Sequence, residues 1–219
     1  MENREYEIVV QNKNITMEKL KDKLKILGGQ VVQEETIYFH YVYIHPHQHN
    51  NDFIRLRNET NKITLTYKIH DKKYPIEHEI IVNDFDSANK IINLLGCKKH
   101  YECHKLRETW KLDGCKEVVF DTYPGIETYA EIECNNEEDI ITTLEKLELN
   151  TDLTIYKRIF ATKYYQDMYG ITLPKKKKTL SFKTAYTVLL NRAKKNKDIL
   201  KERLDKVSED HKEQLDILD

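Results

Sequence analysis

The sequence predicts an α+β fold: a strand-rich barrel with a polar interior, helices inserted between its strands, and a helical tail. Three observations predict it. Eight short segments rich in β-branched and aromatic residues are spaced by turn-forming residues over the first two-thirds of the chain. Five of these carry like-charged pairs at i and i+2 with an apolar residue between them. Two inserted windows show helical rather than strand spacing.

The elements follow in order. Glu5 to Gln11 is β-rich. Thr16 to Leu27 places Met17, Leu20, Leu24 and Leu27 at helical spacing, with Thr16 as cap and Gly28-Gly29 as stop. Gln30–Ile44, Phe53–Asn58, Lys62–Ile69 and Ile76–Val82 read as strands, broken by polar residues near position 60 and by the Asp71-Lys72-Lys73 linker. Asp84 to Leu95 returns to helical spacing and is closed by Gly96. Strands resume at Tyr101–Leu112, Lys116–Asp121 and Thr128–Cys134, the first two joined by the hairpin signal Asp113-Gly114. Helices are expected at Glu137–Leu147 and Leu153–Tyr169. Pro174 and Lys175–Lys178 then punctuate the chain. Residues 179–219 read as one or two charged helices with an incomplete apolar stripe of Leu189, Leu200, Leu204, Val207, Leu215 and Leu218. The expected division is a tunnel domain over residues 1–172, then a basic linker and helical extension over 173–219. That extension packs on the barrel rim or offers its stripe to a protein partner.

Side chains at i and i+2 of a strand share a face. Arg55 and Arg57 therefore share one, as do Glu77 and Glu79, Lys105 and Arg107, Glu131 and Glu133, and Glu5 and Glu7; Lys68 ends the Thr64, Thr66 face of another strand. A single strand of this kind would simply face solvent. Five are different, because neighbouring like charges repel and a solvent face prefers mixed signs. A polar lumen resolves this by letting basic and acidic strands face one another across water and a ligand. Arginines bind phosphate oxygens bidentately, and carboxylate pairs suit a hard divalent cation such as Mg²⁺ or Mn²⁺. A lumen with both suits a polyphosphate–metal complex.

Composition limits the alternatives. The 219 residues carry 36 basic and 37 acidic side chains, a net charge of -1, so wholesale attraction to nucleic acid is excluded. No run is apolar enough to span a membrane, and the start of the chain lacks a signal-peptide core, which leads us to expect a cytoplasmic protein. The four cysteines, Cys97, Cys103, Cys115 and Cys134, are too few for a disulfide scaffold and are expected as reduced thiols. Two other runs, Cys97 to His104 and His45-His47-His49, hold metal-competent side chains but read better as a strand entry and a polar loop.

Taken in order, Glu-x-Glu near the start, Ile-Arg-Leu-Arg, Thr-Tyr-Lys, Glu-x-Glu, Lys-x-Arg and Ala-Glu-Ile-Glu resemble the CYTH superfamily of triphosphate tunnel proteins, over about residues 4 to 150. That superfamily includes class IV adenylyl cyclases, thiamine triphosphatases, inorganic triphosphatases and, more distantly, RNA triphosphatases. The resemblance implies an eight-stranded antiparallel tunnel. It implies Arg55, Arg57, Lys68, Lys105 and Arg107 as phosphate ligands, Glu5, Glu7, Glu131 and Glu133 as ligands of Mg²⁺ or Mn²⁺, and Glu77, Glu79 and Asp121 as further lumen acids. The expected activity is metal-dependent hydrolysis of a triphosphate or polyphosphate, an RNA 5′ end among the substrates. Adenylyl cyclisation and non-catalytic nucleotide or polyphosphate binding are the alternatives. Two departures matter. The opening signature of the family is Glu-x-Glu-x-Lys, and this chain reads Glu5-Tyr6-Glu7-Ile8-Val9, without the lysine; a register two residues later, Glu7, Val9 and Gln11, loses a carboxylate as well. Pro75 stands where an arginine usually precedes the central Glu-x-Glu.

Overall fold

The computed structural model describes residues 4–47, 52–59, 61–70, 73–172 and 178–217. His49, Asp71, Lys72, Pro174, Lys175–Lys177 and Leu218, singled out above, lie outside them. The strands are β1 (Tyr6–Val10), β2 (Gln30–Ile44), β3 (Phe53–Asn58), β4 (Ile63–Ile69), β5 (Ile76–Val82), β6 (Lys98–Lys111), β7 (Cys115–Thr122), β8 (Tyr129–Cys134) and a short β9 (Lys178–Leu180). The helices are α1 (Met17–Ile26), α2 (Phe85–Leu94), α3 (Glu137–Lys146), α4 (Ala161–Tyr169), α5 (Phe182–Arg192), α6 (Lys197–Asp210) and α7 (Lys212–Ile217). Local chemistry sets several of the ends. Thr16 and Asp84 cap α1 and α2 by accepting from the backbone N–H three residues on. Gly114 turns the β6–β7 hairpin at φ +90°, where a Cβ would be strained.

Eight antiparallel strands form one curled sheet in the order β1-β8-β7-β6-β2-β3-β4-β5. Its two edges meet at a bridge between Arg4 and Ile76, beside a 3.0 Å hydrogen bond from the Glu5 N–H to the Pro75 carbonyl. Proline suits the start of this edge strand because it has no N–H to leave unpaired.

Strand alternation sends the apolar residues outward, under helices. Ile8, Val10, Trp110, Val118, Phe120, Ala130 and Ile132 pack with Leu20 and Leu24 of α1 and Ile140 and Leu144 of α3. Tyr43 and Leu56 pack with Ala88 and Ile92 of α2. Ile37 and Leu106 lie under Phe182 and Val207 of the tail. The inward faces are thereby left to the charged residues.

Three expectations are corrected. The helix expected over Leu153–Tyr169 is broken into a 3-10 turn at Leu153–Ile155, an extended stretch, and α4. The reason lies in packing: Tyr156 belongs to the α1–α3 core and Ile159 to the core under the tail. A helix would put residues three apart on one face, so it cannot serve both. Cys115 and Cys134, expected as free thiols, face each other across β7 and β8 and are joined by a disulfide; Cys97 and Cys103 are free and buried. Among its described residues the tail holds three helices rather than one or two, led in by β9, which pairs in parallel with Tyr101–Cys103 of β6.

The tail uses its apolar stripe within the chain. Leu189, Leu200 and Leu204 are buried with Cys103 and Ile126 of the sheet end and with Tyr165 and Tyr169 of α4. Tyr165 donates to the Pro124 carbonyl at 2.6 Å, and Arg203 donates to the Tyr169 hydroxyl at 2.6 Å and pairs with Glu127. The β7–β8 connection is thus clamped from outside. We expect Leu200→Ala to cost about 2–5 kcal/mol in a denaturant melt, the usual range for emptying a fully buried leucine site, and Leu94→Ala, at 87% exposure, to cost nearly nothing.

Candidate triphosphate site

The inward face of each strand supplies one row of the site. β3 contributes Arg55 and Arg57, β4 Thr64, Thr66 and Lys68, β5 Glu77 and Glu79, β6 Lys105 and Arg107, β7 Glu117 and Asp121, β8 Glu131 and Glu133, and β1 Glu7 and Val9, with Glu5 just ahead of it. Ten of the twelve expected site residues line one cavity of about 360 Å³: Arg55, Arg57, Lys68, Arg107, Glu5, Glu7, Glu77, Glu79, Glu131 and Glu133. The other two, Lys105 and Asp121, are buried and not part of its lining. Both carboxylates of the first register of the opening motif, Glu5 and Glu7, stand in the cavity wall. The volume is at the small end of the ~300–1,000 Å³ usual for small-molecule sites.

Cations and carboxylates alternate across neighbouring strands. Arg55 Nη2 donates to Glu77 at 2.9 Å, and Glu79 accepts from Thr66 at 2.8 Å and lies 3.7 Å from Arg57. Lys68 pairs with Glu5 and lies 3.8 Å from Glu7. Arg107 reaches Glu131 at 3.2 Å, and Lys116 reaches Glu133 at 2.8 Å. Below them Asp121, at 1% exposure, accepts from Lys105 at 2.7 Å and from Arg107 at 2.7 and 2.6 Å.

The cavity holds charge at a cost. Burial, then the neighbouring Arg57 and Arg107, lower the Arg55 pKa to about 10. Its Nε is buried with no acceptor. Burial, then Arg107, lower Lys105 to about 7. Burial opposes the charge on Asp121 too, but Arg107 and Lys105 outweigh it and hold the carboxyl below its usual range. Burial raises Glu131, with Asp121 and Glu7 adding to the effect, and burial also raises Glu133. Glu7, Glu133 and Glu117 are direct cross-strand neighbours in one row on β1, β8 and β7, an arrangement that like charges disfavour unless a cation intervenes. As the chain stands they splay toward separate lysines and arginines. Among the described residues no three acidic, histidine or cysteine groups are gathered tightly enough to hold a metal ion.

Four contributors were not read from the sequence. Glu59, buried, takes the Arg57 Nε hydrogen bond at 2.6 Å, and it extends the Arg55, Arg57 face by one more i+2 step. Tyr38 lines the cavity, with the Arg57 guanidinium 5.5 Å above its ring. His40, on the same face of β2, is buried with Nδ1 unpartnered, and burial and then Lys105 hold it well below the usual histidine range. Glu117 completes the acidic row. In the other two runs, successive strand residues Cys103 and His104 point to opposite faces, and the rings of His45 and His47 lie 5.5 Å apart.

Comparisons agree with this architecture. Among solved structures, the chain is similar to a conserved hypothetical protein from Pyrococcus furiosus, at 25% identity over 68% of this chain and 93% of that one, with a TM-score of 0.54. It is similar to the PH1012 protein from Pyrococcus horikoshii at 24% identity over 69% and 97%, TM-score 0.53. A Vibrio parahaemolyticus protein titled a "putative adenylate cyclase" shares the fold at 13% identity over 74% and 97%, TM-score 0.61. No curated protein matches the chain. No helix among the described residues is long and apolar enough to cross a membrane. The CYTH domain pattern matches residues 1–165, three-quarters of the sequence, and the chain belongs to the CYTH family.

Proposed function

We propose that this protein binds the triphosphate group of an organic or inorganic triphosphate in its tunnel and hydrolyses the terminal phosphoanhydride. The observation that carries the reading is the convergence of Arg55, Arg57, Lys68 and Arg107 on one small cavity, with the buried Arg55 Nε lacking an acceptor. Charge-assisted hydrogen bonds from these groups to phosphate oxygens are worth about 1.5–3 kcal/mol each. Held there, the substrate's terminal phosphate meets fixed cations that favour the charge spreading over its oxygens as water adds to phosphorus and the anhydride bond to the departing phosphate breaks. Asp121 holds Arg107 and Lys105 in place for this, and Glu77 and Glu79 orient Arg55 and Arg57.

The donor set fits Mg²⁺ or Mn²⁺: hard carboxylate oxygens, including a like-charged row whose repulsion a cation relieves. Glu131 and Glu133, with Glu5 and Glu7, would hold the ion, which would offset the negative charge of the triphosphate.

Phosphate release from tripolyphosphate, ATP and thiamine triphosphate, with and without Mn²⁺, tests the reading. Metal-dependent release with at least one of them supports it; binding without release leaves a non-catalytic tunnel. The double variant Glu131→Gln, Glu133→Gln should weaken Mn²⁺ binding by calorimetry at least tenfold. Because both carboxyls are held above the usual range, Mn²⁺ binding must displace protons, so wild-type affinity should rise with pH through the carboxylate range while the double variant loses that slope. Unchanged metal binding in the variant would show that these two residues are not the ligands.

A further inference from the structure

The inward row of β1 reads Glu5, Glu7, Val9, and Val9 sits directly opposite Glu131 of β8, whose other neighbour is Val119 of β7. At this level of the tunnel one acid is flanked by two valines, at the position where the resemblance leads one to expect lysine. A cation comes instead from another part of the chain. The extended stretch between the 3-10 turn and α4 passes the end of β1, where the Gln11 side-chain amide donates to the Lys157 carbonyl at 2.8 Å. The strand that lacks the lysine therefore anchors the next residue, Arg158. Arg158 Nη1 lies 3.4 Å from Nε2 of His70, which follows β4. Though exposed by area, the side chain is crowded by protein, and its electrostatic partners are Glu7 and Glu131, then Tyr123 and Tyr129. Glu7 and Glu131 line the cavity that holds Arg55 and Arg57; Arg158 does not line it and makes no ion pair within 4 Å with either carboxylate, but its contact with His70, two residues beyond the lumen residue Lys68, sets it at the end of the barrel where β1, β4 and β7 finish, within the field of both acids.

We propose that Arg158 is a phosphate-binding residue of the tunnel, supplying from beyond the barrel strands the positive charge that Val9 leaves out of β1. The inference rests on the triphosphate reading and adds to it a residue outside the strands that carry the family's motifs. It also gives the break in the expected 153–169 helix a role, since a continuous helix would not leave this extended stretch free to lie across the end of β1. The chemistry is a guanidinium at the tunnel mouth meeting terminal phosphate oxygens.

The test is a rescue experiment read by calorimetry with tripolyphosphate, alongside ligand-free melting. Arg158→Ala should weaken tripolyphosphate binding about tenfold or more, the loss expected for one charge-assisted phosphate contact. Arg158→Lys, which keeps a charge, should bind within a few-fold of wild type. Adding Val9→Lys to Arg158→Ala should recover most of the lost affinity, because the charge returns to the same level of the tunnel. Equal affinity for wild type and Arg158→Ala would overturn the proposal and leave the triphosphate reading intact. So would equal losses in the alanine and lysine variants with no recovery by Val9→Lys, which would make Arg158 a structural anchor. If wild type itself fails to bind tripolyphosphate, the triphosphate reading falls and this inference falls with it.

Discussion

Replacing Asp121 with alanine is expected to destabilise the protein by about 3–5 kcal/mol, a drop in melting temperature on the order of 10 °C. Asp121 is almost fully buried and is the hydrogen-bonding acceptor for both Lys105 and Arg107, so its removal leaves two cations in the interior without their acid. Arg107 keeps Glu131 at 3.2 Å, but no contact of that kind to Lys105 survives. The pH dependence follows in sign. Lys105 has a folded-state pKa of about 7, far below its value in an unfolded chain, so above that pH it is increasingly neutral in the folded state and needs its acid less. The cost of Asp121→Ala should therefore be greater at pH 6 than at pH 9. In wild type the carboxyl is held below its usual range, so the stability it contributes is present above the ordinary aspartate pKa and is lost as pH falls below it. Asp121→Asn keeps the shape and should cost nearly as much as alanine. An asparagine variant as stable as wild type in a denaturant melt would mean that charge is not what holds this pair of cations.

Much of this arrangement was legible because a strand has a period of two and the lumen repeats it. Arg55 with Arg57, or Glu131 with Glu133, announce a shared face whatever the tertiary structure does, and β2, β3 and β5 begin and end where their composition changes. Ten of the twelve expected residues are the like-charged pairs of five segments that obey one rule, and Lys68 and Asp121 follow the same alternation on β4 and β7. What was not legible depends on contacts between distant segments. β9 is only three residues long, too short to show a period, and forms because β6 has an edge free beyond the end of β7. The helix spacing of Leu153–Tyr169 was overridden by two separate cores, one claiming Tyr156 and the other Ile159. Cys115 and Cys134 are 19 residues apart, and only the β7–β8 pairing makes them neighbours.

The site shows the same division. Glu59 continues the Arg55, Arg57 row by one more step but lies just past Asn58, where the polar composition ends the strand signal. Tyr38 and His40 share the inward face of β2 with no charged partner to mark it, so that strand carried no signal. Arg158 lies outside every strand, and its place at the tunnel end depends on Gln11 and His70, 147 and 88 residues away in sequence.

Ligand binding is expected to stabilise this protein strongly, because the ligand-free tunnel confines cations that disfavour one another. Arg55 is the sharpest case: burial and two neighbouring arginines lower its pKa to about 10 while its Nε has no acceptor. Arg55→Met should therefore melt close to wild type without ligand, since the desolvation it relieves offsets the ion pair with Glu77 it loses, yet lose most of the response to ligand. A bound triphosphate brings several negative charges among these groups, and linkage converts its occupancy into stability. At a hundredfold excess over the dissociation constant the gain is about 2.7 kcal/mol, on the order of 5–10 °C for a chain of this size. The effect does not require hydrolysis, so it isolates the binding claim on which the rest of the account depends. The deciding measurement is the thermal melt of the wild-type protein in tripolyphosphate against chloride at matched ionic strength. A rise of several degrees in tripolyphosphate alone is the result this structure predicts, and equal shifts in the two salts would contradict it, reducing the paired arginines and lysines to an ordinary solvated surface.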